Sequence, residues 1–232
     1  MYGFYGIDIY YIILVVPAIL LALWAQGKVS STFRRYSQVR PRNGMTGAQA
    51  AEAVLRANGV TGVRIERVGG NLTDHFDPRE GVIRLSDSVY DASTVAAVGV
   101  AAHEAGHAAQ YALEYAPIKI RNAIIPVSRI GSMMSWPLLL IGLVFNSQSL
   151  ITLGILFFLA AVVFQLVTLP VEFNASTRAI AALADGGYLT EEELPGARKT
   201  LSAAAMTYVA ALAVSLAQLL RLVLLFGGRR DD

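Results

Sequence analysis

The chain has 232 residues, 55% of them hydrophobic and only 16% charged, with a positive mean hydropathy; a soluble domain carries about a quarter charged residues. The apolar surplus is clustered, which places the chain among integral membrane proteins with one modest polar domain. The absence of cysteine excludes disulfides, thiolate-bound zinc and thiol nucleophiles. A net charge of +2, with no run of basic and aromatic residues, gives no reason to expect a nucleic-acid partner.

The first apolar run covers residues 7–25, with Tyr10 and Tyr11 at one end and Trp24 at the other, as an aromatic belt requires. No Lys or Arg precedes it, so residues 1–27 read as an uncleaved anchor rather than a signal peptide. Pro17 is expected to kink this helix, which neighbouring spans tolerate. Residues 28–129 form a polar domain. Thr46-Gly-Ala-Gln49 has the form of a capping box opening a short helix over 48–57, which Asn58-Gly59 closes. Residues 63–68 alternate as a strand and stop at Gly69-Gly70; Asp77-Pro-Arg-Glu-Gly81 is a turn and 81–86 a second strand. Together they predict a small hairpin. Asp91 or Ser93 is expected to cap a long helix reaching about Tyr115, stopped by Pro117.

Three more apolar segments follow. Residues 130–145 are short for a full span, about 24 Å of helix, and are either a short crossing or re-entrant. Residues 150–169 are a full-length span, so 130–169 reads as a membrane hairpin turning at Asn146-Ser-Gln-Ser149. A polar section over 170–202 contains Thr190-Glu-Glu-Glu193 as a helix start, and 203–226 supply the last span within a C-terminal segment, 203–232. Gln218 and Arg221 in that span must snorkel or face protein. Lys28, Arg34, Arg35, Arg40 and Arg42 follow the first span directly, which puts 28–129 on the cytoplasmic side. With a membrane hairpin between them, 170–202 returns to the same side. Arg229 and Arg230 oppose this weakly, offset by Asp231 and Asp232.

His103-Glu-Ala-Gly-His107 carries the chemistry. On a helix, positions i and i+4 share a face, so both imidazoles reach one ion. Zinc takes nitrogen ligands in a tetrahedron and, in hydrolytic sites, keeps one place for water. Glu104, beside the first histidine, is placed to take a proton from that water. Gly106 costs about 1 kcal/mol of helix propensity relative to Ala, so something other than helix formation favours it. A third protein ligand is needed. His75 and acids of the hairpin are available, but Glu172 is topologically favoured, because it follows the third apolar segment directly and two spans separate it from His107.

Asn71-Leu-Thr-Asp-His-Phe-Asp-Pro78, the stretch 100–110 around the two histidines, and Leu169-Pro-Val-Glu-Phe-Asn-Ala-Ser176 together resemble the YugP-like family of bacterial membrane zinc metallopeptidases. More distantly, the chain is similar to the gluzincin membrane proteases of the HtpX and CaaX-processing kind. The resemblance implies a mostly α, integral membrane fold of about four transmembrane helices, with a small α+β gluzincin-like catalytic domain bearing an edge β-hairpin. It implies one zinc ion held by His103, His107 and Glu172, with Glu104 as general base and acid. Gluzincins often place an aspartate four residues after the ligating glutamate; here that place is Ser176, with Asn174 nearby. By the same resemblance His75 and Asp77 flank the substrate edge, His75 being either an oxyanion donor or a hydrogen-bonded turn histidine. Arg178 and Tyr208 are candidate oxyanion donors, or a snorkelling base and an interfacial aromatic.

The function so implied is hydrolysis of polypeptides, membrane or membrane-associated, at the cytoplasmic surface of a bacterial inner membrane. A zinc-stabilised scaffold or chaperone with little or no proteolysis is the alternative. A zinc transporter would hold its ligands near the bilayer midplane.

Overall fold

The computed structural model describes residues 8–227, so Ile7 and the terminal Arg229, Arg230, Asp231 and Asp232 lie outside the described residues. The elements in chain order are α1 (Val16–Tyr36, led by a π-helical turn over Tyr11–Val15), α2 (Gly47–Ala57), β1 (Arg64–Val68), β2 (His75–Asp77), β3 (Val82–Ser86), α3 (Val95–Ala112), α4 (Ala116–Val144), α5 (Gln148–Asp185) and α6 (Leu194–Phe226). This is a mainly α membrane protein with a small α+β region. α1 with its leading turn, α4, α5 and α6 are each long and apolar enough to cross a membrane. The chain divides into two compact units, one taking residues up to Ala25, Ile120–Leu169 and Thr207 onward, the other Gln26–Lys119 and Pro170–Met206.

In the first unit several polar side chains pair with one another, as an apolar setting favours. Arg221 Nε and Nη2 donate to Asp8 Oδ2 at 2.8 and 2.6 Å, and the guanidinium stacks over the Tyr11 ring. Arg221 therefore faces protein, one of its two expected resolutions. Gln165 Nε2 donates to Ser215 Oγ at 2.9 Å, and Ser135 Oγ to the Gly154 carbonyl at 2.9 Å. The π-helical turn precedes Pro17, whose missing N–H spoils a regular ladder at that point.

Three helices run further than the sequence predicts. α4 has 29 residues and passes through Pro126 and Pro137, so residues 130–145 are only its later part. α5 continues through Pro170 to Asp185, where a break is expected. An interior proline costs about 3 kcal/mol. Beyond it Val171, Glu172, Ala175, Ala179 and Leu183 are all buried, and that packing outweighs the loss. Thr190-Glu-Glu-Glu193 does start a helix: Thr190 N donates to Glu193 Oε2 at 2.9 Å. The helix it starts is α6 itself, at Leu194 rather than Ala203.

The second unit is built on α3. Its small residues Ala97, Ala101, Ala102, Ala105 and Ala108 let α2, β3, α5 and α6 pack closely around it, with Val54, Ile83, Leu85, Val98 and Leu183 filling the core. α2 begins with the capping box: Gln49 N donates to Thr46 Oγ1, and Thr46 N to Gln49 Oε1. α3 is capped by Thr94, whose Oγ1 accepts from Ala97 N at 3.2 Å, and not by Asp91 or Ser93; Asp91 is paired with Arg67 instead. The helix ends at Ala112, and Pro117 stands in the first turn of α4, where a proline is tolerated.

The sheet order is β1-β3-β2. β3 pairs antiparallel with β2 (His75↔Arg84, Asp77↔Val82) and parallel with β1 (Arg64↔Val82, Val68↔Ser86). The hairpin thus joins β2 to β3. The sequence pairs 63–68 with 81–86 as that hairpin, but the long connection over 69–81 lets the chain make β2 first and return beside β1 in parallel. β3 is the central strand, and Val82, Ile83, Leu85 and Ser86 are buried on both faces.

Candidate metal centre

α3 and α5 bring the site together. His103 and His107, one turn apart on α3, present imidazoles with ring centroids 4.6 Å apart and planes crossing at 81°. Glu172 reaches them from α5. Its Oε2 lies 3.3 Å from His103 Nε2 and 3.5 Å from His107 Nε2, and one donor atom from each of the three falls within 4.8 Å of the others. Gly106 permits this approach. A Cβ there would sit 2.5 Å from the Ala175 carbonyl oxygen, so the two helices meet backbone to backbone one residue from His107. The departure from helix propensity at Gly106 is explained by that contact.

The residues fit a divalent ion of the zinc kind. Tetrahedral bonds of about 2.0–2.1 Å set ligand atoms roughly 3.3–3.4 Å apart, and the two imidazole–carboxylate separations are 3.3 and 3.5 Å. Two imidazoles and a carboxylate form the donor set of hydrolytic zinc sites. Glu172 is 3% exposed, and a carboxylate so placed needs cationic company.

The electrostatics agree. Burial presses the His107 pKa down, but the hydrogen bond its ring donates to Glu172 and the charges of Glu104 and Glu172 outweigh it, and the pKa is raised. Glu104 itself is half-buried, and its charge is felt at His107.

Around these three side chains are groups that the motif alone does not reveal. Ser176 Oγ lies 3.1 Å from His103 Nδ1, so the hydroxyl is the partner of that ring nitrogen. Gln110 Oε1 is 3.0 Å from His107 Nδ1, and its Nε2 donates to the Val171 carbonyl at 2.8 Å and to Asn174 Oδ1 at 3.0 Å. Gln110 had one signal in the sequence, a polar residue three positions after His107 in an otherwise apolar stretch.

The other expected site residues are placed as follows. His75 is exposed on β2, its Nδ1 donating to the Thr73 carbonyl at 2.8 Å. Asp77 Oδ1 accepts from Arg79 N at 2.8 Å, shaping the turn, and Oδ2 lies 3.7 Å from Arg84 Nη1. Arg178 Nε donates to Asn174 Oδ1 at 2.9 Å. Tyr208, on α6, is 39% exposed and belongs to the first unit. β2 packs on α3 through Phe76 and Tyr111, whose rings meet edge to face at 6.1 Å. Among the described residues, His103, His107 and Glu172 are the one group placed to share an ion.

Residues 11–227 match the model of a family described as "Putative neutral zinc metallopeptidase". The chain belongs to this family. It is also similar to the "Putative membrane protease YugP" of Bacillus subtilis (strain 168), 47% identical over 222 residues, which cover 96% of this chain and 99% of the relative. No solved structure matches. The family description names zinc and a peptidase, which implies a polypeptide substrate, and the four apolar helices imply a lipid bilayer.

Proposed function

We propose that this family member is an endopeptidase of the gluzincin type, with one zinc ion held by His103, His107 and Glu172. The observation that carries the reading is the convergence of Glu172 on the paired imidazoles at separations that suit a tetrahedral ion. A zinc ion bound there supplies a Lewis acid and makes water nucleophilic near neutral pH. Glu104 takes the proton of the attacking water and delivers it to the leaving amine. Its neighbours allow both duties: half-buried on α3, it is one residue from a ligand yet outside the ligand set.

The catalytic part is formed by 28–129 and 170–202, both on the cytoplasmic side, joined through the anchor (1–27), the membrane hairpin (130–169) and the C-terminal segment (203–232). This orientation is supported by Lys28, Arg34, Arg35, Arg40 and Arg42, which crowd the end of the first span. A bilayer-borne site of this kind favours membrane or membrane-associated polypeptides as substrates.

The test is cleavage of an unfolded polypeptide such as casein by the purified full-length protein in detergent. Cleavage that chelator stops and zinc restores is expected, together with a loss of at least about 10²-fold in Glu104→Gln, whose zinc content stays at the wild-type level. Bound zinc without metal-dependent cleavage would favour the scaffold reading. Loss of zinc from Glu104→Gln would remove Glu104 from its assigned role.

A further inference from the structure

Gln110 is fully buried on α3, three residues beyond His107, and every polar atom of its amide is engaged. The direction of those bonds is forced from outside. The Val171 carbonyl can only accept, so the Gln110 nitrogen faces α5. Asn174 Oδ1 accepts from Arg178 Nε, a group that can only donate, and this fixes Asn174 with its oxygen toward Gln110. Gln110 Oε1 is then left facing His107, and an oxygen there requires the proton on Nδ1. In the neutral ring, the form that binds a metal, the lone pair of His107 is consequently on Nε2, the atom that faces Glu172 Oε2. Two groups with no choice of role, a peptide carbonyl and a guanidinium, thereby set the tautomer of a ligand.

The same side chain also sets spacing. Val171 immediately precedes Glu172, so one amide ties a ligand on α3 to the backbone beside the ligand on α5. Gly106 brings the two helices near enough for so short a bridge.

We infer that Gln110 is the positioning residue of the metal centre: through Nδ1 it holds His107 in the tautomer that can ligate, and through Val171 and Asn174 it holds the Glu172 turn of α5 in register with α3. The inference rests on the zinc reading above. Outer partners of this kind are worth 10–100-fold in metal affinity.

The experiment is zinc affinity of the full chain in detergent, measured by competition with a chromophoric chelator, for wild type, Gln110→Met and Gln110→Glu. Methionine keeps the volume and no hydrogen bonds; glutamate keeps the acceptor for His107 and loses the donation to α5. Affinity should fall about 10–100-fold in Gln110→Met and recover to within about threefold of wild type in Gln110→Glu. Thermal stability of the zinc-free protein should be lowered in both, so affinity and stability part company. Wild-type affinity in Gln110→Met, or equal losses in the two variants, overturns the inference. A second measurement needs no variant. The chain has only three histidines, so ¹⁵N-histidine NMR of the zinc-loaded wild type resolves each ring. His107 should carry its proton on Nδ1 and the metal on Nε2; the reverse overturns the inference. Wild-type protein that takes up no zinc overturns the zinc reading itself, whereas zinc bound equally well by wild type and Gln110→Met overturns this inference alone.

Discussion

At the scale of residues, the site is a competition between protons and a cation for the same atoms. Because the His107 pKa is raised, the zinc-free protein holds a proton there above the usual imidazole range near 6.5. Zinc must displace that proton, so its affinity should decline as pH falls, starting above the ordinary histidine range. The zinc-free fold behaves oppositely: stability from charged His107 is complete below the unfolded pKa and is lost as pH rises through the raised folded one. Chelator competition across pH 6 to 8.5 checks the first statement, and a flat profile would contradict it. Ser176→Ala removes the partner of His103 Nδ1 and is expected to weaken zinc binding by up to about 100-fold, with little change in fold; unchanged affinity would show that the hydroxyl holds nothing. The grouping of His103, His107 and Glu172 was legible in the sequence, because i and i+4 on a helix share a face and because an even number of expected spans separates Glu172 from His107. Gln110 was not. A glutamine at i+3 in an apolar helix announces that something polar waits for it, but only the packing of α5 on α3 says what.

Among the elements, the contact of α3 with α5 governs the geometry, and Gly106 is its narrowest point. Gly106→Ala adds about 1 kcal/mol of helix propensity but drives a methyl to 2.5 Å from the Ala175 carbonyl oxygen. Overpacking costs about 1–3 kcal/mol, so the variant should melt lower and bind zinc less well, as read by thermal unfolding with and without the metal. A higher melting temperature with full zinc affinity would show that the helices yield freely there. Helix starts with explicit chemistry, such as Thr46 with Gln49 and Thr190 with Glu193, were readable from the chain. Ends were not. Pro170 reads as a break, yet burial of Val171, Ala175 and Leu183 carries α5 past it. The hairpin was misread for a related reason: β1 does lie beside β3, but in parallel, and β2, which forms the hairpin with β3, has only three residues, too few to display alternation.

For the molecule as a whole, the claims are a multi-pass chain with its zinc-bearing part on the cytoplasmic side. The absence of cysteine makes this easy to check, since a single introduced cysteine is a clean label. Glu80→Cys and Glu191→Cys, both at exposed positions, should react with an impermeant maleimide only after the membrane is opened. Labelling of intact cells at either position would reverse the orientation. The proposition on which everything else depends is narrower, and zinc K-edge X-ray absorption of the purified full-length protein tests it most directly. With three histidines in the chain, the imidazole count is decisive. The account predicts one zinc with two imidazole nitrogens and carboxylate oxygen at about 2.0–2.2 Å, the carboxylate contribution vanishing in Glu172→Ala. Three imidazoles, which would bring in His75, or a spectrum unchanged by Glu172→Ala would contradict it.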